Sequence, residues 1–339
     1  MRLAVVTHEV FLAHDTGSGH PERPDRLAAA HAGLELSQAQ LIPIEAPPID
    51  DVELRRVHSP DYIEAIRRFC ASGGGAIDAD TVVVGESWEA SLRAAGAGLA
   101  AIETVAAGAA DAAFCAVRPP GHHATPSRAM GFCIFNNIAI AARHLADAGE
   151  RVVILDVDVH HGNGTQKMFD THGDVFYLSL HEFPAYPGTG WIDETGTGGG
   201  EGSVINVPLP ANSAGDVYHE AIERVIVPVV AEAEPNWVLV SAGYDAHDND
   251  PLADLRLLAG DYGRAIGAVA AAVPDPRWVF FLEGGYDLEA IAGSVAATVD
   301  GLAGLPVDGR RLATSPSHPA WRMVDQVAQR AATWWSGIG

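Results

Sequence analysis

Short apolar runs alternate with longer helical or alanine-rich segments along most of this chain. The apolar runs are rich in β-branched residues and end in polar or glycine-containing sequence, which is typical of buried strands. They predict strands at 3–6, 112–117, 152–155, 175–180, 204–207, 237–241 and 278–282. The segments between them predict helices at 26–36, 61–71, 87–107, 136–148, 214–233, 253–272, 289–303 and 320–335. Strands that are apolar on both faces and alternate with helices indicate an α/β fold with a mostly parallel sheet.

The composition is that of a compact protein with a large core. Of the 339 residues, 48% are hydrophobic and 19% are charged, and neither a linker-like stretch nor an internal repeat divides them. We therefore predict one domain over 1–339, which ends in the helix at 320–335. Cys70, Cys115 and Cys133 lack the spacing of a metal or redox motif and are expected to be reduced thiols.

Charge and hydropathy restrict the location and the partners. The N-terminal segment turns polar too early for a signal peptide, and no apolar run approaches the roughly 20 residues of a membrane span. We therefore expect a cytoplasmic protein without a membrane partner. The formal net charge is −23, and Lys167 is the only lysine. Such acidity argues against nucleic-acid binding and is compatible with cationic substrates, although diffuse acidity more commonly serves solubility.

One stretch, 151–164, joins a strand-like run to a cluster of polar residues. After Val152–Leu155 the sequence places Asp156, Asp158 and His160 two residues apart and then turns tightly through glycines. Side chains alternate faces along a strand, so these three are expected to point to one side. Two carboxylates and an imidazole are costly to bury unless they bind a cation. The stretch therefore predicts a metal site at a strand end.

Further chemically active residues follow three other predicted strands. His122 and His123 come after a Pro-Pro-Gly turn, and Asp245 and Tyr286 follow two later strands. Ligand sites of open α/β sheets lie at the carboxyl ends of the strands, where these groups would meet. Asp245 can complete a three-ligand metal site with an open position, and the histidines can transfer protons. With Tyr286 as a hydrogen-bond donor to an oxyanion, the set predicts amide hydrolysis.

Taken together and in order, six motifs resemble the histone deacetylase family. They are His20-Pro-Glu-Arg-Pro24, Arg118-Pro-Pro-Gly-His-His123, Gly131-Phe-Cys-Ile-Phe-Asn-Asn137, Asp156-Val-Asp-Val-His-His-Gly-Asn-Gly-Thr165, Ser241-Ala-Gly-Tyr-Asp245 and Glu283-Gly-Gly-Tyr286. The resemblance covers residues 1–305 and is to the class II-like branch, with the bacterial histone deacetylase-like amidohydrolases and acetylpolyamine amidohydrolases. It implies a three-layer arginase/deacetylase-type fold with a mostly parallel eight-stranded sheet. It also implies a zinc-dependent hydrolase that removes acetyl or other acyl groups from lysine-type amides.

The resemblance also implies the catalytic roles. Asp158, His160 and Asp245 match the zinc ligands, a set that suits iron(II) as well. His123 matches the general base that later protonates the leaving amine. His122 matches the neighbouring histidine that stabilises charge.

Three further residues match groups that support or complete this chemistry. Asp156 is placed to orient His122, and Asn163 is placed near His123. Class I relatives have an aspartate at the position of Asn163, so the asparagine should leave His123 less basic. Tyr286 matches the oxyanion donor. Weakly active class IIa enzymes have a histidine there, so the tyrosine implies genuine deacetylase activity.

The substrate tunnel is also inferred by resemblance. Phe132 and Tyr186 match its two aromatic walls, and Tyr186 replaces the usual phenylalanine with a slightly more polar ring. Gly131 matches the carbonyl that accepts the substrate amide. Arg26 matches an arginine near an internal exit for acetate.

Members of the family also bind structural potassium, at an inner and an outer site. The residues that match the inner site, largely through carbonyl groups, are Asp156, Asp158, His160, Ser179 and Leu180. The residues that match the outer site are Phe169, His172, Val175 and Tyr218.

One position bears on the substrate. Leu252 lies seven residues past Asp245, where polyamine-selecting eukaryotic relatives have a glutamate. A leucine cannot hold a second ammonium group, so it favours a peptide or small-molecule amide of the acyl-lysine type. Acetylpolyamine stays the alternative, because prokaryotic polyamine enzymes use a different acidic residue and a dimer-forming loop. The sequence is compatible with an oligomer.

Two other function classes remain as rivals. A binuclear manganese ureohydrolase of the same fold needs extra aspartates around the histidine strand, and the sequence after His161 does not supply them. A catalytically inactive module that only binds acyl amides would not need His122, His123 and Tyr286. Both classes are therefore less favoured than a zinc deacylase.

Overall fold

The computed structural model describes residues 1–274 and 276–338, which contain ten strands. They are β1 (Arg2–Thr7), β2 (Gln40–Glu45), β3 (Gly75–Ala76), β4 (Val82–Val83), β5 (Ala112–Cys115), β6 (Val152–Asp156), β7 (Val175–Glu182), β8 (Val204–Leu209), β9 (Trp237–Ala242) and β10 (Arg277–Leu282). The short β3 and β4 form a separate antiparallel pair. The other eight pair in parallel in the order β2-β1-β5-β10-β9-β6-β7-β8. This confirms the predicted eight-stranded sheet.

Helices lie on both sides of the sheet, which confirms the three-layer α/β architecture. The helices are α1 (Asp25–Leu36), α2 (Asp51–Leu54), α3 (Pro60–Ala71), α4 (Ser87–Ala106), α5 (Asn137–Asp147), α6 (Asn163–Phe169), α7 (Gly215–Ala221), α8 (Val227–Ala233), α9 (Ala259–Ala272), α10 (Leu288–Leu302) and α11 (Pro319–Ala331). A π-helical turn, Ile222–Ile226, joins α7 to α8. Among the helices of the described ranges, none combines the length and apolar character needed to cross a bilayer.

The strand order brings four carboxyl ends together at the centre of the sheet. β5, β10, β9 and β6 are neighbours, and all four are buried along almost their whole length. Each is followed by a loop that carries chemically active residues, at 118–123, 283–286, 243–247 and 157–161. Parallel pairing places these loops at one edge, where open α/β sheets bind their ligands.

The polar end of the strand at 151–164 differs from the prediction. β6 stops at Asp156, and Asp158 and His160 lie in the bend that follows. Two backbone N–H groups of this bend bond to carboxylates and not to the carbonyl groups of a neighbouring strand. Asp158 N donates to Asp156 Oδ1 (3.2 Å), and Val159 N donates to Asp245 Oδ1 (2.9 Å). His160 N donates to Asp158 Oδ1 (2.9 Å). The prediction of one strand that carries all three polar side chains is therefore wrong, and carboxylates shape this bend.

The helix predicted at 253–272 is also wrong over its first part, because α9 begins only at Ala259. Leu257 N donates to Ala246 O (3.0 Å), and this bond holds the preceding segment as extended backbone beside the loop after β9. Leu252 consequently lies in a loop.

The sequence patterns predict none of β2, β3, β4, α2 and α6. β2 contains Pro43, which lowers its strand propensity, but β2 lies at the edge of the sheet, where proline is tolerated. The glycine-rich turn after His161 continues directly into α6. The helix predicted at 320–335 ends early, at Ala331.

Residues after α11 pack back onto the domain. Trp335 Nε1 donates to Gly202 O (3.0 Å), and its ring lies against Phe176. The tryptophan is buried. α11 itself contacts β8, so the chain end covers the outer strand of the sheet. The single-domain organisation stays a prediction.

Candidate active site

Asp158, His160 and Asp245 converge where the loops after β6 and β9 meet. One ligand atom from each lies within 4.8 Å of the others. His160 Nδ1 is 3.1 Å from Asp245 Oδ2 and 3.3 Å from Asp158 Oδ1. Both carboxylates are buried and the imidazole is nearly so. The structure therefore brings together all three residues of the predicted metal site.

Glycines leave room for these carboxylates. A Cβ at Gly243 would lie 2.1 Å from Asp158 Oδ2, and a Cβ at Gly284 would lie 2.1 Å from Asp245 Oδ2. Gly284 N also donates to Asp158 Oδ2 at 2.7 Å. These positions explain the glycines of the Ala-Gly-Tyr-Asp and Glu-Gly-Gly-Tyr motifs. They shape a cradle around the oxygen atoms that face the cluster.

The electrostatics of the cluster fit a divalent cation. Burial and the neighbouring Asp158 raise the pKa of Asp245. Burial disfavours a charged imidazole, but hydrogen bonds that His160 donates to Asp158 and Asp245 outweigh it and raise the pKa of His160 well above its ordinary value. Two buried carboxylates thus hold a proton on His160 that a metal ion would displace. Two carboxylates and one imidazole are donors that suit zinc and leave a coordination position open.

The tandem histidines have opposite environments. His122 Nδ1 lies 3.1 Å from Asp156 Oδ2, and His123 Nδ1 lies 2.9 Å from Asn163 Oδ1. Burial disfavours a charge on His122, but Asp158 and Asp156 outweigh it and raise its pKa to about 10. Burial and the neighbouring His122 lower the pKa of His123 well below its ordinary value. At neutral pH His123 is therefore a neutral base beside a cationic partner.

Glu283 ties the histidine loop to the loop after β10. Its Oε2 accepts hydrogen bonds from Gly121 N (2.6 Å) and His122 N (3.1 Å). The side chain is fully buried. Sequence reasoning used Glu283 only as part of a motif and assigned it no contact. An acidic residue in a buried strand end was the available signal.

Tyr286 is positioned through its own backbone. Tyr286 N donates to Asp250 Oδ2 at 2.6 Å, and the guanidinium of Arg26 lies 5.0 Å from the centre of the phenol ring. Burial and Asp245 raise the pKa of Tyr286 well above its ordinary value, so the hydroxyl keeps its proton. Sequence reasoning did not select Asp250, since its role is a contact to the backbone of a distant loop.

A cavity of about 200 Å³ opens onto these groups. The residues that line it are Asp80, His123, Gly131, Phe132, His160, Tyr186, Leu252 and Tyr286. Both predicted aromatic walls, the predicted carbonyl residue and the predicted gate residue therefore lie around one cavity with the base, a metal-site residue and the tyrosine. Asp80 was missed, because it lies between the short strands β3 and β4, which the sequence pattern did not predict.

Known proteins of similar sequence identify the family of this chain. A sequence model of the histone deacetylase domain matches residues 20–302. The chain belongs to the histone deacetylase family. Histone deacetylase 14, a chloroplastic protein of Arabidopsis thaliana, is 38% identical over 94% of this chain and 82% of its own length. The histone deacetylase-like amidohydrolase of Pseudomonas aeruginosa is 36% identical over 85% of this chain and 78% of its own.

The fold is also that of the family. The crystal structure of the HDA15 HD domain matches with a TM-score of 0.91 and 35% identity, over 100% of this chain and 98% of that one. The arginase/deacetylase-type fold that the motifs implied is therefore confirmed.

In this histone deacetylase domain, Arg26 is not among the described residues that line the cavity. It lies behind Tyr286. Its Nε donates to Gly285 O (2.6 Å) and its Nη1 to Glu22 Oε1 (3.0 Å). Arg118 Nη2 donates to Glu22 Oε2 (2.7 Å). Glu22 thus joins the His-Pro-Glu-Arg-Pro motif to the start of the histidine loop.

Replacing Glu22 by alanine should lower the free energy of unfolding by about 3–5 kcal/mol, because Arg26 and Arg118 would stay buried without their carboxylate. Burial opposes ionisation, but Arg118 outweighs it and lowers the pKa of Glu22 to about 2. This stabilisation is therefore present above the ordinary carboxylate pKa and is lost as the pH falls toward 2. Urea unfolding at neutral pH measures the effect.

The matched control removes an exposed ion pair. Glu64→Ala breaks the surface contact with Arg67 and should leave the urea midpoint nearly unchanged. An equal, small effect of the two substitutions would contradict the role assigned to Glu22.

The residues matched to potassium sites occupy two regions. Asp156 pairs with Ser179 across β6 and β7, and Leu180 follows in β7. Phe169 ends α6 and its ring contacts His172, Val175 begins β7, and Tyr218 lies on α7. Among the described residues the hydroxyl of Tyr218 has no hydrogen-bond partner. Both potassium sites stay predictions.

Proposed function

We propose that this protein is a zinc-dependent amidohydrolase that removes acetyl groups from acetyl-lysine-type amides. The observation that carries the proposal is the cavity that ends on a neutral His123, the three-residue metal cluster and the hydroxyl-bearing Tyr286. A cavity lined by the aromatic rings of Phe132 and Tyr186 suits a linear acyl-lysine side chain, and the same lining includes a base and a hydrogen-bond donor.

His123 is proposed as the general base. Asn163 Oδ1 can accept only from a protonated Nδ1, so this contact leaves the lone pair on Nε2 of the imidazole. That Nε2 would take a proton from the attacking water and later deliver it to the leaving amine nitrogen. His122, kept cationic by Asp156 and Asp158, would stabilise the negative charge that develops next to it.

The remaining groups act on the scissile carbonyl. Asp158, His160 and Asp245 would hold a zinc ion, which supplies the Lewis acidity that activates water and polarises the carbonyl. Tyr286 would donate its hydroxyl proton in a hydrogen bond to the developing oxyanion. Its raised pKa keeps it a donor across the physiological range.

Asn163→Asp should move the acidic limb of the pH profile of kcat/KM to higher pH. An anion next to Nδ1 favours the charged imidazole, so the pKa of His123 would rise and the free base would appear only at higher pH. A pH series of kcat/KM for both proteins measures the shift. An unchanged acidic limb would mean that His123 is not the titrating base.

The substrate class follows from the cavity lining. Phe132, Tyr186 and Leu252 offer an apolar path, which favours acyl-lysine in a peptide or a similar small amide. Among the described residues that line the cavity, Asp80 is the only one with a carboxyl group, and burial raises its pKa. This residue supports acetylpolyamine deacetylation as the second candidate, because a carboxylate there could pair with a distal ammonium group.

Leu252→Glu should raise activity on acetylpolyamines relative to acetyl-lysine peptides. A carboxylate at the cavity mouth would add an attraction for the second ammonium group, which neutral peptides lack. The ratio of kcat/KM for acetylspermidine and an acetyl-lysine peptide measures it, with Leu252→Gln as the uncharged control. An unchanged ratio would remove Leu252 as the selecting position.

A turnover panel on metal-quantified protein tests the proposed function. The substrates are an acetyl-lysine peptide, acetylputrescine, acetylspermidine, trifluoroacetyl-lysine and longer acyl-lysines. We expect the highest kcat/KM on the acetyl-lysine peptide. A preference for the acetylated polyamines would establish the second candidate instead.

A further inference from the structure

A second cluster of metal-ligating side chains lies beside the first. His122, Cys133 and Glu283 each place one ligand atom within 4.8 Å of the others, and all three side chains are buried. His122 and Cys133 lie in the segment between β5 and α5, and Glu283 lies in the loop after β10. Cys133 is not one of the proposed ligands of the first metal site, and it takes no part in the proposed proton transfers.

One atom of this cluster lacks a partner. Glu283 Oε2 accepts from two backbone N–H groups, whereas Oε1 is buried without a hydrogen-bond partner among the described residues. An unpartnered buried carboxylate oxygen costs free energy that a proton or a cation at that point would offset. Burial raises the pKa of Glu283 to about 7, so protonated and ionised forms are both accessible near neutral pH.

We propose that His122, Cys133 and Glu283 form a second, inhibitory zinc site. Thiolate, imidazole and carboxylate are the three ligand types that zinc binds in proteins. His122 Nδ1 is engaged by Asp156, so Nε2 is the nitrogen left for the ion. Binding must displace one proton from His122 Nε2 and one from the Cys133 thiol, whose pKa is raised by burial, so it is weaker at low pH.

Occupation of this site would stop turnover through His122. A metal on Nε2 would take the place of the proton through which His122 donates a hydrogen bond, next to His123, whose ring centre is only 4.0 Å away. This part of the inference rests on the proposed function. Metal binding itself does not, since it depends only on the three ligands.

Cobalt(II) titration of the metal-free protein separates the two sites. The first cluster has only oxygen and nitrogen donors, so a thiolate-to-cobalt absorption band can arise only from a cysteine ligand. We expect one equivalent to bind without this band and a second, weaker equivalent to produce it. Binding of a single equivalent without the band would overturn the second site.

Variants assign the band. Cys133→Ser should abolish it, whereas Cys115→Ala and Cys70→Ala should retain it, since these two cysteines lie outside the cluster. Glu283→Gln should weaken the second equivalent by at least about tenfold, since loss of a single supporting partner already costs 10–100-fold in metal affinity. A band that survives in Cys133→Ser, or an unchanged affinity for the second equivalent in Glu283→Gln, would contradict the assignment.

Activity then tests the inhibition separately. Protein with one zinc ion per chain should lose turnover as further zinc is added, and Cys133→Ala should resist this loss. Undiminished turnover while the second site is filled would overturn the inhibitory role. Absence of turnover with one zinc would instead refute the proposed function and leave the cobalt result standing.

Discussion

Replacing His123 by alanine should lower kcat by about 10²–10⁴-fold, the range that general acid–base catalysis contributes. His123 lines the cavity, and its pKa is lowered by burial and by the neighbouring His122, so it is unprotonated at neutral pH. The variant would lose both the acceptor for the water proton and the donor for the leaving amine. Single-turnover deacetylation of an acetyl-lysine peptide measures the chemical step.

Metal content is the control for this variant. His123 is not among the cluster residues, so the alanine protein should keep one zinc ion per chain and a thermal midpoint close to that of the wild type. A variant that keeps its zinc and also its activity would show that another group is the base. A variant that loses zinc would show that His123 serves the metal site instead.

Tyr286→Phe should lower kcat by about 10²–10³-fold, as loss of an oxyanion donor does in other hydrolases. The substitution removes one oxygen and keeps the ring, which lies edge-on to Phe132 and beneath Arg26. The hydrogen bond strengthens only as negative charge develops, so KM should change much less than kcat. Steady-state kinetics on an acetyl-lysine peptide resolve the two parameters.

Tyr244→Phe is the matched control. Tyr244 is also fully buried, but it lies outside the cavity lining, and its hydroxyl has no hydrogen-bond partner in the described part of the chain. Its loss should leave kcat near the wild-type value. Equal losses in the two variants would indicate a general packing effect, and near-wild-type rates for Tyr286→Phe would remove the hydroxyl from the mechanism.

The meeting of distant residues at the site was predictable from the strand pattern. Parallel strands bring their carboxyl ends to one edge, so Asp158, Asp245, His123 and Tyr286 could be expected to meet although they are far apart in sequence. The same argument could not give the path of the backbone between them. β6 ends at Asp156 because carboxylates accept hydrogen bonds from the backbone N–H groups of Asp158 and Val159, a competition that alternation along a strand ignores.

The residues that sequence reasoning missed act through contacts to distant backbone. Asp250 and Glu283 hold the loops of the tyrosine and of the histidines by accepting backbone N–H bonds, and Asp80 enters the cavity from a short two-stranded hairpin. None of these contacts has a periodicity or spacing that a single sequence reveals. Glu22 is a similar case, because nothing in its loop motif indicates that the side chain forms a buried ion pair with Arg118.

Acetate release by metal-depleted and zinc-restored protein tests the central claim most directly. An acetyl-lysine peptide is incubated with protein stripped of metal, and then with the same protein after one equivalent of zinc is added back. Catalytic release of acetate, many times the amount of protein, is predicted only after zinc is restored. Tight binding of the peptide to the zinc-restored protein without any release of acetate would contradict the account.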